Sequence, residues 1–431
     1  MQRMLIIADD LSGAADCAIA SIGSGLSAAV AFGDFDRDLD AEVLSIDCDT
    51  RHLHSDAAAE LVARVLRRYT PDPDLLVFKK LDSTLRGNVG AELFAILEER
   101  RSSASGDRRI VAVMAPAFPA GGRTTIDGRQ FVHGAPLHES ETWRHHRSFA
   151  PTHIPSVLAM AGMRSILLGL ELVRSGAAAL RQTMLTLADT ADVLVCDAET
   201  DDDLRAIAEA SFVLGRETVW AGSAGLAYHL PFAAGLSGTI SPVESPTVAT
   251  GPTLIVIGSM SSVSRDQADL LEKVARINTI RLSPRMLRAG IPSPQWTGHV
   301  RTVAAALEAG RDTLVVLQPD ELLDKSESRV LSRAMGTILR PFHGVAGALV
   351  ASGGETARAV LDGWGIYSLR MIGEVEPGLP FALTEGWSRS LPVLTKAGAF
   401  GSPHTLLRCC QFLQTLDRVA EDAYSAPKEL L

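Results

Sequence analysis

A chain of 431 residues is too long for one ordinary hydrophobic core, so we expect two or three domains. Apolar residues make up 46% of the chain and charged residues 21%, a composition typical of soluble globular proteins. The formal net charge of −10 disfavours nucleic-acid binding, which requires a dense basic surface, but it is compatible with a small anionic substrate.

Cysteine content and hydropathy limit the cellular setting. The five cysteines are odd in number and form no Cys-x-x-Cys pair, so we predict reduced thiols in a cytoplasmic protein. No apolar run approaches the roughly 20 residues that a membrane span requires, and two early carboxylates interrupt any signal-peptide core. We therefore expect no membrane or nucleic-acid partner. The oligomeric state is left open, and a homo-oligomer is compatible with the sequence.

Short β-branched runs alternate with amphipathic stretches throughout the first half of the chain. Such an alternation predicts a parallel sheet covered on both faces by helices. The predicted strands are 5–8, 28–32, 43–47, 75–80, 110–115, 165–168, 193–197 and 218–220, and the predicted helices include 56–69, 90–100 and 202–214. The stretch 117–155 is rich in Gly, Pro, His and Arg, shows little periodicity, and is predicted to be a functional loop.

The stretch 236–252 is rich in Pro, Ser, Thr and Gly and is predicted to link two domains, 1–235 and 253–431. Alternation then resumes. The predicted strands are 253–257, 279–282, 313–317, 347–351, 366–372 and 391–394, and the predicted helices are 267–276, 300–308, 328–339, 357–361 and 404–416. The sequence thus predicts two α/β domains, each with a mainly parallel sheet flanked by helices.

Two carboxylates follow the first predicted strand directly. Asp9 and Asp10 precede Ser12 and Gly13, where a small-residue helix is predicted to begin. In parallel α/β sheets ligands bind at the carboxyl ends of the strands, so both carboxylates are candidates for a site. The alternative is an N-cap role, which a single carboxylate at a helix start often has.

Two further polar stretches follow predicted strands of the first half. Arg51 follows the strand at 43–47 and could form a paired hydrogen bond with a carboxylate or phosphate, or simply an ion pair with Asp47 or Asp49. The stretch 78–88 combines Lys, Asp, Ser, Thr, Arg and Gly, a mixture that suits a polyhydroxy acid. A capped helix with solvated charges is the alternative.

The irregular stretch 117–155 offers fewer clear indications of function. Arg123 could reach an anion, whereas His138, His145 and His146 show no metal-binding spacing and are expected to lie at the surface or in packing contacts. At 221–226 a strand meets a Gly-rich helix start, which could cap the helix or contact a ligand.

Several strand–Gly–helix junctions occur in the second half, at 257–262, 352–357 and 395–402. Backbone N–H groups at such junctions can cradle phosphate, so we predict nucleotide or phosphate binding, with ordinary left-handed turns as the alternative. The chain contains no Gly-Lys pair and hence no Walker A loop, and no GxGxxG follows the first strand, which disfavours a dinucleotide-dependent dehydrogenase.

An ordered set of these stretches resembles the four-carbon acid sugar kinases, a family with a sugar-binding N-terminal domain and a nucleotide-binding C-terminal domain. Together the matching motifs extend over nearly the whole chain. They are IIADDLSGAAD, DCDTR, KKLDSTLRGN, APAFPAGGRTTIDGR and AGSAGLA in the first half, and GSMSS, SGGETA, GEVEPGLP and LTKAGAFG in the second.

The resemblance implies ATP-dependent phosphorylation of the terminal hydroxyl of a four-carbon sugar acid, with D-threonate favoured over D-erythronate, L-threonate or a 3-oxo-tetronate. It also implies an active site in the cleft between the two domains. ATP and Mg²⁺ are the expected cofactors. We expect Asp10 and Lys396 to be catalytic, with Asp9 or Asp82 as alternative bases. The residues expected to bind the acid are Asp9, Asp10, Arg51, Lys80, Leu81, Asp82 and Ser83, and those expected to bind ATP are Ser259, Gly353, Gly354, Glu355, Thr356 and Gly398. No metal ligand is assigned.

The motifs depart from the family pattern at a few positions. Ser12 stands where Thr is common, and KAGAFG replaces the commoner KSGGFG. After Pro136 the family often has an acidic run, whereas this chain has HESETWRHHRSFAP. Two other functions remain open from the sequence: a non-catalytic sensor of a sugar acid and a nucleotide, and a dehydrogenase or isomerase acting on the same acids.

Overall fold

The computed structural model describes residues 2–33, 39–69, 74–103, 110–140, 143, 152–238, 249–275, 277–290, 293–319, 327–386 and 389–425. The chain divides into two compact units, Met1–Ile240 and Ser241–Leu431. Most of the predicted linker, as well as His145 and His146, lies outside the described residues. Within the described ranges, no helix combines the length and apolar character needed to cross a membrane.

The first unit is built around a parallel sheet. Its strands, together with three short ones considered below, are β1 Met4–Ala8, β2 Ala28–Phe32, β3 Val43–Asp47, β4 Leu76–Lys80, β5 Ala112–Ala115, β6 Arg123–Ile126, β7 Arg129–Val132, β8 Ala135–Pro136, β9 Ser165–Leu168, β10 Val193–Cys196 and β11 Val219–Gly222. The order in the main sheet is β2-β3-β1-β4-β11-β5-β10-β9, and every pairing is parallel.

Helices cover this sheet, as the continuous apolar runs predict. They are α1 Leu11–Ile19, α2 Ser55–Tyr69, α3 Val89–Ser103, α4 Ile154–Met160, α5 Leu170–Val173, α6 Ala177–Ala188, α7 Asp201–Ser211, α8 Ala224–Ala227 and α9 Leu230–Ala233. Strands β1, β3 and β4 are buried along their whole length, because helices exclude water from both faces. They are neighbours in the sheet, so the polar stretches that follow them meet at one edge.

The irregular stretch contains a structure that the sequence prediction missed. Strands β6, β7 and β8 form a small antiparallel sheet. Asp127 and Gly128, with φ angles of 50° and 66°, make the turn between β6 and β7. The Asp197 carboxylate accepts hydrogen bonds from both turn amides, at 2.7 and 2.9 Å, and so attaches the hairpin to the end of β10.

The second unit has a mixed sheet. Its strands are β12 Thr253–Ile257, β13 Asn278–Leu282, β14 Thr313–Leu317, β15 Ala348–Ser352, β16 Ser368–Glu374, β17 Pro380–Thr384 and β18 Pro392–Lys396. The order is β13-β14-β12-β15-β18-β17-β16, and β17, which the sequence prediction missed, runs antiparallel to both neighbours. The helices are α10 Ser262–Ala275, α11 Pro284–Ala289, α12 Pro294–Glu308, α13 Ser328–Leu339, α14 Gly354–Gly363 and α15 Thr405–Ser425. The predicted α/β class with mainly parallel sheets is confirmed.

Strand alternation at the end of β4 separates two adjacent lysines. Lys79 points into the core, where its Nζ lies 2.6 Å from Glu92 Oε2 and each side chain is only 1% exposed. Lys80 points to the other face of the sheet, toward α1. Only Lys80 is therefore placed to act at the strand edge, and the Lys79–Glu92 pair is part of the core.

We expect Lys79→Met to lower the free energy of unfolding by about 3–5 kcal/mol, because it leaves the Glu92 carboxylate buried without its cation. Chemical denaturation measures this loss. The double variant Lys79→Met/Glu92→Met is the control, and it should be markedly more stable than Lys79→Met because no buried charge remains unpaired. Equal stabilities of the single and double variants would contradict this view of the pair.

Candidate active site

Arg51 lies at the centre of the polar edge of the first unit. Its Nε and Nη2 bond both oxygens of Asp9, at 2.7 and 2.9 Å. The same guanidinium contacts Asp10, with Nη2 3.0 Å from Oδ1 and Nη1 3.3 Å from Oδ2. The carboxylate pair that follows β1 and the arginine that follows β3 thus form one ionic cluster.

Asp82 extends the cluster from the end of β4. Arg86 donates to both of its carboxylate oxygens, from Nε at 2.6 Å and from Nη2 at 2.8 Å, and the hydroxyl of Thr84 donates to Oδ2. Burial by itself would raise the pKa of Asp82, but Arg86 and Arg51 outweigh it and hold that pKa well below its usual range. Asp82 therefore stays ionised, with both of its oxygens bonded to Arg86.

The three carboxylates of the cluster differ in accessibility. The exposed fraction of the side chain is 4% for Asp9 and 9% for Asp82, but 18% for Asp10. Asp10 also caps α1, because its Oδ1 accepts a hydrogen bond from Gly13 N at 3.1 Å. Asp10 is therefore the N-cap of α1 and also, of the three carboxylates, the one most accessible to a ligand.

Lys80 and Gly13 fit closely against each other. A Cβ atom on Gly13 would lie 2.7 Å from Asp10 Oδ1 and 2.9 Å from Lys80 Nζ, so only glycine leaves room for both side chains. The ammonium of Lys80 donates to the carbonyl of Leu81 at 2.6 Å, and Leu81 N donates in turn to Gly222 O at 2.7 Å. The 80–83 segment is thereby fixed at the sheet edge.

The hairpin of β6 and β7 adds Gln130, to which the sequence analysis gave no role, and Arg123, which it named only as a residue that could reach an anion. Gln130 Nε2 donates to the carbonyl of Ser83 at 2.9 Å, which ties the hairpin to the 80–83 segment. Arg123 lies on β6 of the same hairpin, half-buried. The side chain of His138, in contrast, is 59% exposed and its Nε2 lies 3.8 Å from Glu139 Oε1, in agreement with the predicted surface position.

The junction after β11 has a structural explanation. Ser223 caps α8 by accepting from Gly225 N at 3.2 Å, and its hydroxyl donates to Ala117 O at 2.6 Å. A Cβ on Gly225 would lie 2.7 Å from that same carbonyl oxygen. The small residues here allow close packing against the 115–118 segment.

In the second unit, hydroxyl-bearing residues connect three Gly-rich loops. Ser261 Oγ and Ser264 Oγ both donate to Gly398 O, at 2.8 and 2.6 Å, and Ser264 Oγ is 3.1 Å from Ser352 Oγ. Gly398 is in turn so close to Ser259 that an added Cβ would overlap the serine hydroxyl. The loops after β12, β15 and β18 thus form one continuous cradle.

The loop after β15 leads into α14 through Gly353 and Gly354, which are half-buried. Gly353 has a φ of 103° and donates its N–H to Lys396 O at 2.8 Å. Thr356 faces Gly258 and lies 3.3 Å from Ser332 Oγ, whereas Glu355 accepts from Ser328 Oγ at 2.7 Å. Backbone amides at a helix N-terminus beside glycines are a chemically suitable cradle for phosphate.

Lys396 lies beneath this cradle. The residue is 1% exposed, and its Nζ donates to the carbonyls of Ala397, Gly398 and Phe400 at 3.0, 3.1 and 3.0 Å. Burial lowers the pKa of the ammonium to about 8, and the nearby Cys409 and Glu376 oppose this shift only in part. These contacts make Lys396 an organiser of the 397–400 loop, and its catalytic role stays a prediction.

We expect the KM for ATP to rise above pH 8, because a neutral Lys396 amine has too few hydrogens to serve all three carbonyls. The folded-state pKa lies below the ordinary value, so the cost of burying the charge is fully present below pH 8 and falls as pH rises towards about 10.4. The free energy of unfolding should therefore not fall above pH 8, although the affinity for ATP does. Steady-state kinetics from pH 7 to 9.5 measure the effect.

Lys396→Met is the control for that pH profile. Its KM for ATP should be high at every pH and show no step near pH 8, because the titrating group is gone. If the wild-type KM for ATP stays constant from pH 7 to 9.5, the charge of Lys396 does not maintain the 397–400 loop.

Comparison with known proteins places these two units in a family. The family model described as "Sugar-binding N-terminal domain" matches residues 4–230, and that described as "Nucleotide-binding C-terminal domain" matches residues 254–406. A D-threonate kinase from Cupriavidus necator is 39% identical over 422 residues, which cover 94% of this chain and 97% of the relative. A D-threonate kinase from Bordetella bronchiseptica is 31% identical, with 95% and 97% covered.

More distant relatives are also similar to this chain over nearly its whole length. A D-erythronate kinase from Heliobacterium modesticaldum is 26% identical, with 99% of this chain and 100% of the relative covered. The solved structure of a Salmonella typhimurium LT2 protein superposes with a TM-score of 0.76 at 20% identity, covering 95% of this chain and 99% of that one, and so shares the fold.

A sugar-binding unit with an ionic cluster, joined in one chain to a nucleotide-binding unit with a Gly-rich cradle, defines an ATP-dependent sugar-acid kinase. The chain belongs to the four-carbon acid sugar kinase family, as its motifs predicted.

Proposed function

We propose that this protein transfers the γ-phosphoryl group of ATP to the terminal hydroxyl of D-threonate and forms 4-phospho-D-threonate. The observation that carries the proposal is the state of Asp10, an accessible carboxylate held in place by Arg51 and by the first turn of α1. The 39% identity to a D-threonate kinase over 94% of the chain supports this acid over other tetronic acids.

Asp10 is the proposed base that accepts the proton of the substrate hydroxyl. Asp9 and Asp82 are less suitable, because an arginine bonds both oxygens of each at 2.6–2.9 Å, whereas the contacts of Arg51 with Asp10 are longer, at 3.0 and 3.3 Å. Asp10 is also the most exposed of the three side chains. Burial alone would raise the pKa of Asp9, but the Arg51 cation reverses the effect and lowers it. Phosphoryl transfer depends mainly on positioning and charge neutralisation, so a rigid carboxylate at the hydroxyl is the principal requirement on this side.

The cradle of the second unit is the proposed ATP site. Ser259, the 353–356 segment and Gly398 present hydroxyls and backbone amides, and Lys396 holds the 397–400 loop in shape. ATP would supply the γ-phosphoryl group. We propose Mg²⁺ as its counter-ion. Within the described residues no three His, Cys, Asp or Glu side chains form a metal-binding group, but Mg²⁺ bound to nucleotide phosphates needs only one or two protein carboxylates.

A substrate panel tests the proposal. Purified protein is incubated with Mg-ATP and D- or L-threonate, D- or L-erythronate, or 3-oxo-tetronates, and ADP release is measured. We expect D-threonate to give the highest kcat/KM. A stronger signal with another acid would replace the substrate, and binding of acid and ATP without ADP release would favour the non-catalytic sensor. The site's location in a cleft between domains, homo-oligomer formation and a cytoplasmic location stay predictions from the sequence.

A further inference from the structure

Arg51 already forms ion pairs with two carboxylates of its own chain. Each of its three guanidinium nitrogens contacts Asp9 or Asp10 at 2.7–3.3 Å. Turning the guanidinium toward a substrate carboxylate would leave these partly or fully buried acids unpaired, which is strongly unfavourable. Arg86 is committed in the same way, because Asp82 accepts from two of its nitrogens.

Two other cations of the same edge have no such commitment. Within the described residues, Lys80 and Arg123 form no ion pair, and their hydrogen bonds go to backbone carbonyls, those of Leu81 and Gly121 respectively. The Nε of Arg123 is buried, with no hydrogen-bond partner in the described part of the chain. A half-buried guanidinium in this state is an incomplete arrangement that an anion would complete.

The hairpin directs Arg123 toward the ionic cluster. Arg123 and Thr125 are two residues apart on β6 and therefore share a face. Thr125 bonds Gln130, which donates to the carbonyl of Ser83 at 2.9 Å, so this face looks onto the 80–83 segment. Burial lowers the pKa of Arg123, and Asp82, Arg86 and Asp16 are the charged groups near enough to affect it further.

We propose that Arg123 receives the carboxylate of the substrate acid beside Lys80, which the motifs already predict to bind the acid. Arg51, which the motifs also predict to bind the acid, instead positions Asp10. The inference rests on the proposed function and deepens it, since it names the group that makes the enzyme selective for acids. The hairpin residue distinguishes a tetronic acid from the corresponding tetritol, in which a neutral CH₂OH replaces the carboxylate. Arg51 acts on the base, so its effect is independent of the carboxylate.

Substitution of Arg123 and removal of the substrate carboxylate test the pairing together. Arg123→Met, Arg123→Lys and the control Arg129→Met, which changes an exposed arginine of the same hairpin, are compared with wild type. Calorimetry gives the Kd for D-threonate, and kinetics give kcat/KM for D-threonate and D-threitol and the KM for ATP. We expect Arg123→Met to weaken D-threonate binding at least about tenfold, since charge-assisted bonds are the strong ones, while kcat/KM for D-threitol changes less than about threefold.

The other variants and readouts complete the test. Arg123→Lys should recover part of the acid affinity, Arg129→Met should match wild type, and the KM for ATP should be unchanged in all three. An unchanged Kd for D-threonate in Arg123→Met, or equal losses with D-threonate and D-threitol, would overturn the inference. If wild type binds D-threonate but transfers no phosphate, the proposed function fails, and the Kd comparison still decides the role of Arg123. If wild type binds no tetronic acid, both proposals fail.

Discussion

Asp10→Asn should lower kcat by about 10²–10⁴-fold, the range that a positioned general base contributes. Asparagine is nearly isosteric with aspartate and caps helices about as well, so α1 should keep its first turn and its bond from Gly13 N. Arg51 retains the buried Asp9 as a bidentate partner. The substitution therefore removes the proton acceptor while leaving the cluster assembled.

Steady-state kinetics and a direct ATP-binding measurement separate chemistry from folding. ATP affinity should be unchanged in Asp10→Asn, and its melting temperature should stay close to that of wild type. Asp10→Ala serves as the comparison, because it removes the cap as well and should also cost about 1 kcal/mol of stability. A kcat of Asp10→Asn within tenfold of wild type would exclude Asp10 as the base and direct attention to Asp82.

Several features of the first unit were predictable from sequence because they are local. Three short apolar runs indicate buried parallel strands with polar carboxyl ends. The first is followed by Asp9 and Asp10, the second lies shortly before Arg51, and the third ends at Lys80. That these three ends are neighbours depends on the order β3-β1-β4, which long crossover connections determine and no local pattern records. The bonds of Arg51 to both early carboxylates follow from that order.

Other features left a signal that the sequence analysis did not use. Asp127-Gly128 between two β-prone runs is the strongest short hairpin signal, and it forms the β6–β7 turn that places Arg123. The adjacent Lys79 and Lys80 necessarily point to opposite faces of a strand, and the apolar face identifies the core. In contrast, nothing local shows that the three donors of Lys396 serve carbonyls of its own loop, because this depends on how the loop closes.

Gly398→Ala should raise the KM for ATP by about 10- to 100-fold, because overpacking a tight site typically costs about 1–3 kcal/mol. The added methyl would overlap Ser259 Oγ and lie 2.7 Å from Ser259 Cβ. Relief requires the 397–400 loop to move away, which would break the bonds from Ser261 and Ser264 to the Gly398 carbonyl. The cradle would then lose the shape that the three loops share.

The cause can be isolated by removing the other side of the clash. Ser259→Gly deletes the two atoms that the new methyl would overlap, so the double variant Gly398→Ala/Ser259→Gly should bind ATP about as well as Ser259→Gly alone. Gly344→Ala is the matched control, since a Cβ there meets nothing within 4 Å, and its KM for ATP should equal that of wild type. If the double variant is instead as impaired as the product of its single changes, the clash is not the cause, and Gly398 matters through its own contact with the nucleotide.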